Sequence, residues 1–194
     1  MAITTGYGLR PVQLLGGKAF SGGTIREFVV TPGNNTYAFG QGDLITIAAG
    51  VAKVVGAAAP AAGTLSTNTP VGVLVGLRYS DPVLKQTQHG QYLPADSTGY
   101  TNIFAKVVDD PEVLFQTRVD AAITYTAIGY NVNYVYSAAN ATTGVSKSYV
   151  TGAATTNTFP FRIVDVIGGD GSTYTDIIVK YNWQTHAYTF PTGQ

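Results

Sequence analysis

Polar and apolar residues alternate along much of this chain with a period of two, and the clearest run is Thr69 to Pro82 (TPVGVLVGLRYSDP). Val71, Val73, Val75 and Leu77 fall on alternate positions, which predicts a β-strand carrying those four side chains on one face. Leu74 and Arg78 take the other face, where Gly72 and Gly76 leave room for a closely packed backbone. The theme returns at Phe159 to Gly168 (FPFRIVDVIG), where a proline again opens a β-branched run.

Shorter strands are predicted at Thr24–Thr31, Leu44–Ile47, Val51–Val55, Asn102–Val108, Glu112–Val119, Ile123–Ile128, Asn131–Tyr136, Ser146–Thr151 and Thr173–Trp183. Turn chemistry separates them at Pro32 to Asn35, Gln41-Gly42-Asp43, Ala49-Gly50, Asp109-Asp110-Pro111 and Gly168 to Gly171. Ala57 to Thr69 reads as a surface loop. Ser80 to Tyr100 lacks periodicity and is expected to be a long ordered loop of the kind that tends to be functional. No window supports a helix longer than about three turns, so the fold class is all-β, a compact β-barrel or β-sandwich.

The order Tyr37, Gly42, strand, Gly50, strand, loop, Pro70 strand resembles Tyr125, Gly129, strand, Gly144, strand, loop, Pro160 strand. That pattern implies two similar β-meanders within one domain. The core is expected over residues 24–183, with an extended N-terminal arm at 1–23 and a C-terminal tail at 184–194. The arm is rich in glycine and costly to order. Leu9, Val12, Leu14, Leu15 and Phe20 are its apolar anchors, expected to hold it on a partner or a neighbouring copy by strand addition.

Composition narrows the function. Charged residues are 11% of the chain, less than half the roughly 25% of an ordinary soluble domain, and eleven Lys plus Arg balance eleven Asp plus Glu. A nucleic-acid partner needs a basic stripe, which is missing. Without cysteine there is no disulfide framework, thiolate metal site or Cys nucleophile. The first residues, MAITTGYGLRPVQLL, do not read as a secretory signal, and no apolar run is long enough to span a membrane as a helix. Thirteen tyrosines and eight phenylalanines in so neutral a chain are the composition of packed interfaces. Tyr181, Trp183, Tyr188 and Phe190 concentrate at the C-terminal end and are candidate partner contacts or core closure.

Chemical motifs are sparse. Gly16-Gly17-Lys18-Ala19 lacks the first glycine and the metal-binding hydroxyl of a phosphate loop. The only candidate bases for a nucleophile are His89, in a polar run, and His186, in the aromatic tail; both read as surface or partner-contact residues. Asp109, Asp110 and Glu112 read as a turn rather than a cation site, since no glycine-turned loop of further oxygens follows. Asn34-Asn35-Thr36 and Asn140-Ala141-Thr142 match glycosylation acceptors, which carry no weight without a secretion signal. No enzymatic activity and no cofactor are expected.

Several fragments carry a resemblance: LRPVQLLGG, AFSGGTIREF, PVGVLVGLRYSDP, VVDDPEVLFQ, FRIVDVI and TDIIVKYNWQTHAYT. Together they run over nearly the whole chain and resemble structural proteins of tailed bacteriophage virions, similar in pattern to capsid decoration or cement proteins. The resemblance implies a β-rich protein on the capsid exterior, made in the host cytoplasm, that binds the major capsid protein and braces adjacent capsomers as an oligomer, often a trimer. A second reading is a carbohydrate- or host-surface-binding β-sandwich that uses Trp183 and Tyr181 as aromatic platforms.

Overall fold

The period-two runs become two antiparallel sheets that repeat one topology. The computed structural model describes residues 6–21, 24–33, 35–56, 69–157, 159–168, 171, 174–182 and 185–189. In chain order the strands are β1 (Arg10–Leu14), β2 (Ile25–Val29), β3 (Phe39–Gly40), β4 (Leu44–Ala48), β5 (Val51–Val54), β6 (Pro70–Ser80), β7 (Thr87–Gly90), β8 (Tyr92–Leu93), β9 (Thr101–Val108), β10 (Val113–Arg118), β11 (Asn131–Val135), β12 (Tyr149–Ala154), β13 (Phe161–Ile167) and β14 (Asp176–Tyr181). One sheet runs β2-β9-β6-β4-β5; the other runs β10-β14-β13-β11-β12, with β1 added outside β10. Counted within its own unit, each five-strand set has the order 1-5-4-2-3.

The repetition reaches single hydrogen bonds. Gly42 N–H donates to Leu74 O at 2.8 Å and Leu74 N–H to Asp43 O at 2.9 Å; Gly129 N–H donates to Ile163 O and Ile163 N–H to Tyr130 O, each at 2.9 Å. Gly42 and Gly129 hold φ of 95° and 91°, a region that favours glycine. In both units the next residue, Val75 or Val164, is bulged out of the ladder. The duplication read from the sequence is thus present in the backbone, although neither unit is a simple meander. β6 returns past β5 to pair with β4, and β13 past β12 to pair with β11. In the second unit Val119 and Val150 form a parallel bridge that curls the sheet toward closure, but the architecture remains an open, sandwich-like β fold.

β6 explains how the units pack. Its bulges at Val71, opposite β4, and at Val75, opposite β9, shift the parity of the strand. The four alternate residues expected on one face are therefore divided. Val73 joins the core containing Leu44, Val108, Phe115 and Phe161, whereas Val71, Leu74 and Leu77 join a second core with Phe39, Ile45, Leu93 and Val107. The first of these cores draws side chains from both units. Gly72 sits where β6 meets β9, and a Cβ there would fall 2.2 Å from Val108 O.

Three expectations are corrected. Ile123–Ile128 is not a strand but surrounds a 3-10 turn at Tyr125–Ala127, because Ala127 N–H and Ile128 N–H bond locally to Thr124 O and Tyr125 O ahead of the Gly129 turn. Ser80–Tyr100 contains β7, paired to β6, and β8, paired to β3; the polar sequence TQHG pairs through its backbone and so leaves no apolar alternation. The N-terminal segment is extended, as expected, but lies on this chain's own sheet: Arg10 pairs with Gln116 and Leu14 with Val113.

Candidate functional site

The residues proposed as contacts from sequence divide sharply. Leu9 is 1% exposed and belongs to the core, and Leu14 and Phe20 pack half-buried against it. Val12 and Leu15, at 42% and 44% exposure, are the anchors left on the surface, along and just beyond edge strand β1. Trp183 and Phe190 lie outside the described residues.

Tyr181 is buried against Phe115, Phe161 and His186, with ring centroids 5.6, 5.1 and 4.7 Å away. It is a core residue rather than an aromatic platform. His186, expected at the surface, is completely buried, its Nδ1 accepts Tyr188 N–H at 3.2 Å, and burial pushes its pKa down to about 4. The reason is that the C-terminal segment folds back across both proline-initiated strands. Ala187 N–H donates to Pro70 O and Asn182 N–H to Pro160 O, at 2.9 and 2.8 Å. Tyr188 stays half-exposed; its hydroxyl donates to Asp109 Oδ2 at 3.1 Å, and the Arg26 guanidinium, paired with the same carboxylate, lies 4.9 Å from the ring centroid.

The acidic turn accordingly has separate tasks for its members. Asp109 binds Arg26 and Tyr188, Asp110 accepts Glu112 N–H at 2.9 Å, and Glu112 faces Lys180 at 3.6 Å. No group of three or more His, Asp or Glu able to hold a metal gathers among the described residues. His89 is exposed on β7, opposite Arg78, as read from its polar surroundings.

A polar junction that sequence reasoning missed lies between the units. Asp43, wholly buried, accepts Gly40 N–H at 2.8 Å on Oδ2, while Ser146 Oγ and Ser148 Oγ donate to Oδ1. Next to it the buried Tyr134 hydroxyl accepts Leu44 N–H at 3.3 Å. Burial outweighs these hydrogen bonds and pushes the Asp43 carboxyl up to about 6. Gln41 completes the seam: its N–H donates to Gly144 O and its carbonyl accepts Ser146 N–H, both at 2.9 Å.

Beside this seam a cleft of about 440 Å³ opens between the N-terminal segment and β6, lined by Leu9, Pro11, Phe20, Ile25, Val75 and Val145 together with the polar Tyr7, Arg10 and Gln41. At the far end of β6 the β6–β7 hairpin displays Val83 and Leu84, 84% and 60% exposed. A third exposed apolar group, Tyr125, Ile128 and Tyr130, surrounds the 3-10 turn. In sequence the only signal of the hairpin tip was an apolar pair inside the otherwise polar DPVLKQTQ.

No family model, curated protein or solved structure matches the chain. No helix among the described residues is long and apolar enough to cross a membrane.

Proposed function

We propose that this chain is a non-enzymatic structural protein of a tailed-phage virion, decorating the capsid exterior and bracing it by binding the major capsid protein. The observation that carries this reading is where the exposed apolar side chains stand. Val12 and Leu15 lie along an edge strand, Val83 and Leu84 at a hairpin tip, and Tyr125, Ile128 and Tyr130 at a turn, all on the periphery of a body with closed cores. Edges and tips can bridge neighbouring subunits, and a surface with few charges lowers the desolvation cost of covering it. The sequence resemblance points to the same role. The glycan-binding alternative is weakened by the burial of Tyr181, one of its two aromatic platforms.

The test is co-sedimentation of the purified protein with capsids assembled from the major capsid protein alone, followed by heating with and without it. Saturable binding and a raised rupture temperature are expected. Binding to glycans with no affinity for capsids would refute the reading.

A further inference from the structure

We propose that residues 185–189 are an acid-released clasp, which protonation of His186 lifts off β6 and β13 while both sheets stay folded. The segment spans the two units. Thr185 Oγ1 donates to Pro160 O just before β13, and Ala187 N–H to Pro70 O at the start of β6, each at 2.9 Å. The His186 ring lies against Tyr181 of the first core, whereas Ala187 packs on the second.

The clasp is held more lightly than a strand. It lies outside the ladders of both sheets, and several of its bonds are internal: Thr189 N–H donates to His186 O at 3.0 Å and Tyr188 N–H to His186 Nδ1 at 3.2 Å. Beyond Pro70 and Pro160, the Tyr188 hydroxyl ties it to Asp109 Oδ2 at 3.1 Å. A segment with few long-range bonds opens at a lower cost than the whole fold.

The trigger is the place of the imidazole. His186 is completely buried, so an imidazolium there gains water only if the segment moves. Its Nδ1 accepts an N–H, which puts the ring proton on Nε2; a second proton, on Nδ1, would point at Tyr188 N–H and remove that bond. Asp109 and Asp110 face the ring from the β9–β10 turn and favour the charged form, Arg26 on β2 opposes it, the Tyr181 and Tyr188 rings flank it, and β6 presents the Val71 backbone. Burial outweighs the two carboxylates. A pKa lowered from 6.5 to about 4 lets acid shift the clasp toward release by up to about 300-fold. Closure is complete above pH 6.5 and is lost as pH falls toward 4. The partners of Asp43, Gly40, Ser146 and Ser148, all lie outside the clasp, so the opposing titration of that carboxyl steadies the sheets and not the clasp. The proposal does not depend on the capsid reading.

Hydrogen exchange of the full chain, followed amide by amide by NMR from pH 7 to 4 and corrected for intrinsic rates, reads clasp and sheets separately. Ala187 N–H reports the clasp; Leu74 N–H and Ile163 N–H, bonded to Asp43 O and Tyr130 O, report the two units. Expected are a fall in Ala187 protection of about a hundredfold and changes of less than about tenfold at Leu74 and Ile163. His186→Gln, whose amide oxygen can accept Tyr188 N–H but takes no proton in this range, should hold Ala187 protection level. In the wild type, equal falls at all three amides would show that the clasp opens only with the whole fold, and level protection at Ala187 would show that it stays shut. Either result overturns the proposal, whether or not the variant folds. So would a wild-type fall that persists in His186→Gln, which would move the trigger to Asp109.

Discussion

Asp43→Asn should change the slope of stability against pH, and the structure gives both sign and size. The Asp43 carboxyl is raised from 3.8 to about 6, chiefly by burial, so the folded chain holds this proton more tightly than the unfolded chain. Its contribution is fully present below pH 3.8 and is lost as pH rises through about 6, a loss of about 3 kcal/mol. His186 acts in the opposite direction. Its pKa falls from 6.5 to about 4, so stability complete above pH 6.5 is lost as pH falls toward 4, again by about 3 kcal/mol. In the wild type the two largely cancel between about pH 4 and 6.

Removing the Asp43 titration exposes the His186 slope. The amide introduced by Asp43→Asn can accept Gly40 N–H on its oxygen and donate from its nitrogen to Ser146 and Ser148, whose hydroxyls are able to accept. Urea unfolding at half-unit steps from pH 4 to 8 should therefore show the Asp43→Asn variant more stable than wild type above pH 7 by about 1–3 kcal/mol, with a steeper loss on acidification. Asp43→Ala, which leaves Gly40 N–H and both hydroxyls without that acceptor, should be the least stable of the three. Parallel wild-type and Asp43→Asn profiles would refute the reasoning, because every other carboxylate is common to both.

Leu9→Ala should cost about 2–5 kcal/mol in chemical denaturation, since the side chain is core, whereas a free arm would show no loss. Tyr181→Phe should leave the melting temperature unchanged or raise it, because the buried hydroxyl has no hydrogen-bond partner among the described residues; a fall of several degrees would contradict this. Gly72→Ala should destabilise by about 1–3 kcal/mol, because the β9 carbonyl cannot yield the space that a Cβ requires, and a neutral effect in the same assay would show that the strands can separate. Residues 111–194 expressed alone should not fold: Leu9, Leu44, Val73 and Val108, which they lose, each contribute about 1.5–3 kcal/mol to the shared core, and a dispersed amide spectrum from the fragment would oppose that.

Much of the fold was legible where alternation and burial coincide. Val113, Phe115, Thr117 and Val119 were spaced as one face of a strand, and all four are buried. Pro70 and Pro160 marked equivalent strands, and Gly42 and Gly129 equivalent turns, since a left-handed residue before a strand favours glycine at both places. What escaped was anything set by a bulge or by distant backbone pairing. No residue type announces that Val71 and Val75 leave the β6 ladder, so the face carrying Val73 was assigned four residues that the structure divides. Leu9 in GYGLRP has no periodic neighbours, and only the pairing of β1 with β10 brings it inside. Asp43 looked like an ordinary turn aspartate because its partners are remote in sequence, Ser146 by 103 residues and Ser148 by 105.

The two units differ in what covers their equivalent turns. In the first, the turn Gly40–Asp43 is capped by the second unit, with Gln41 bonded to Gly144 and Ser146 and the Asp43 carboxylate receiving two serine hydroxyls. The matching turn of the second unit, Ala127–Tyr130, has no such cap among the described residues and shows Ile128 and Tyr130 at 45% and 42% exposure. The capping segment belongs to the stretch between β11 and β12, whereas the first unit joins β4 to β5 through Ala49 and Gly50 alone. The β4–β5 turn of the first unit, two residues long, does not return the contact. A polar, fully satisfied turn is what permanent burial inside one chain demands, because an unpaired buried carboxylate would be costly. A turn bearing isoleucine and tyrosine instead tolerates water, since each ring or branch keeps part of its surface exposed without leaving a buried polar group unpaired. The duplication has thus kept one backbone and set it in two chemical conditions, and the difference between Asp43 and Tyr130 at matching positions records which copy is closed within the chain.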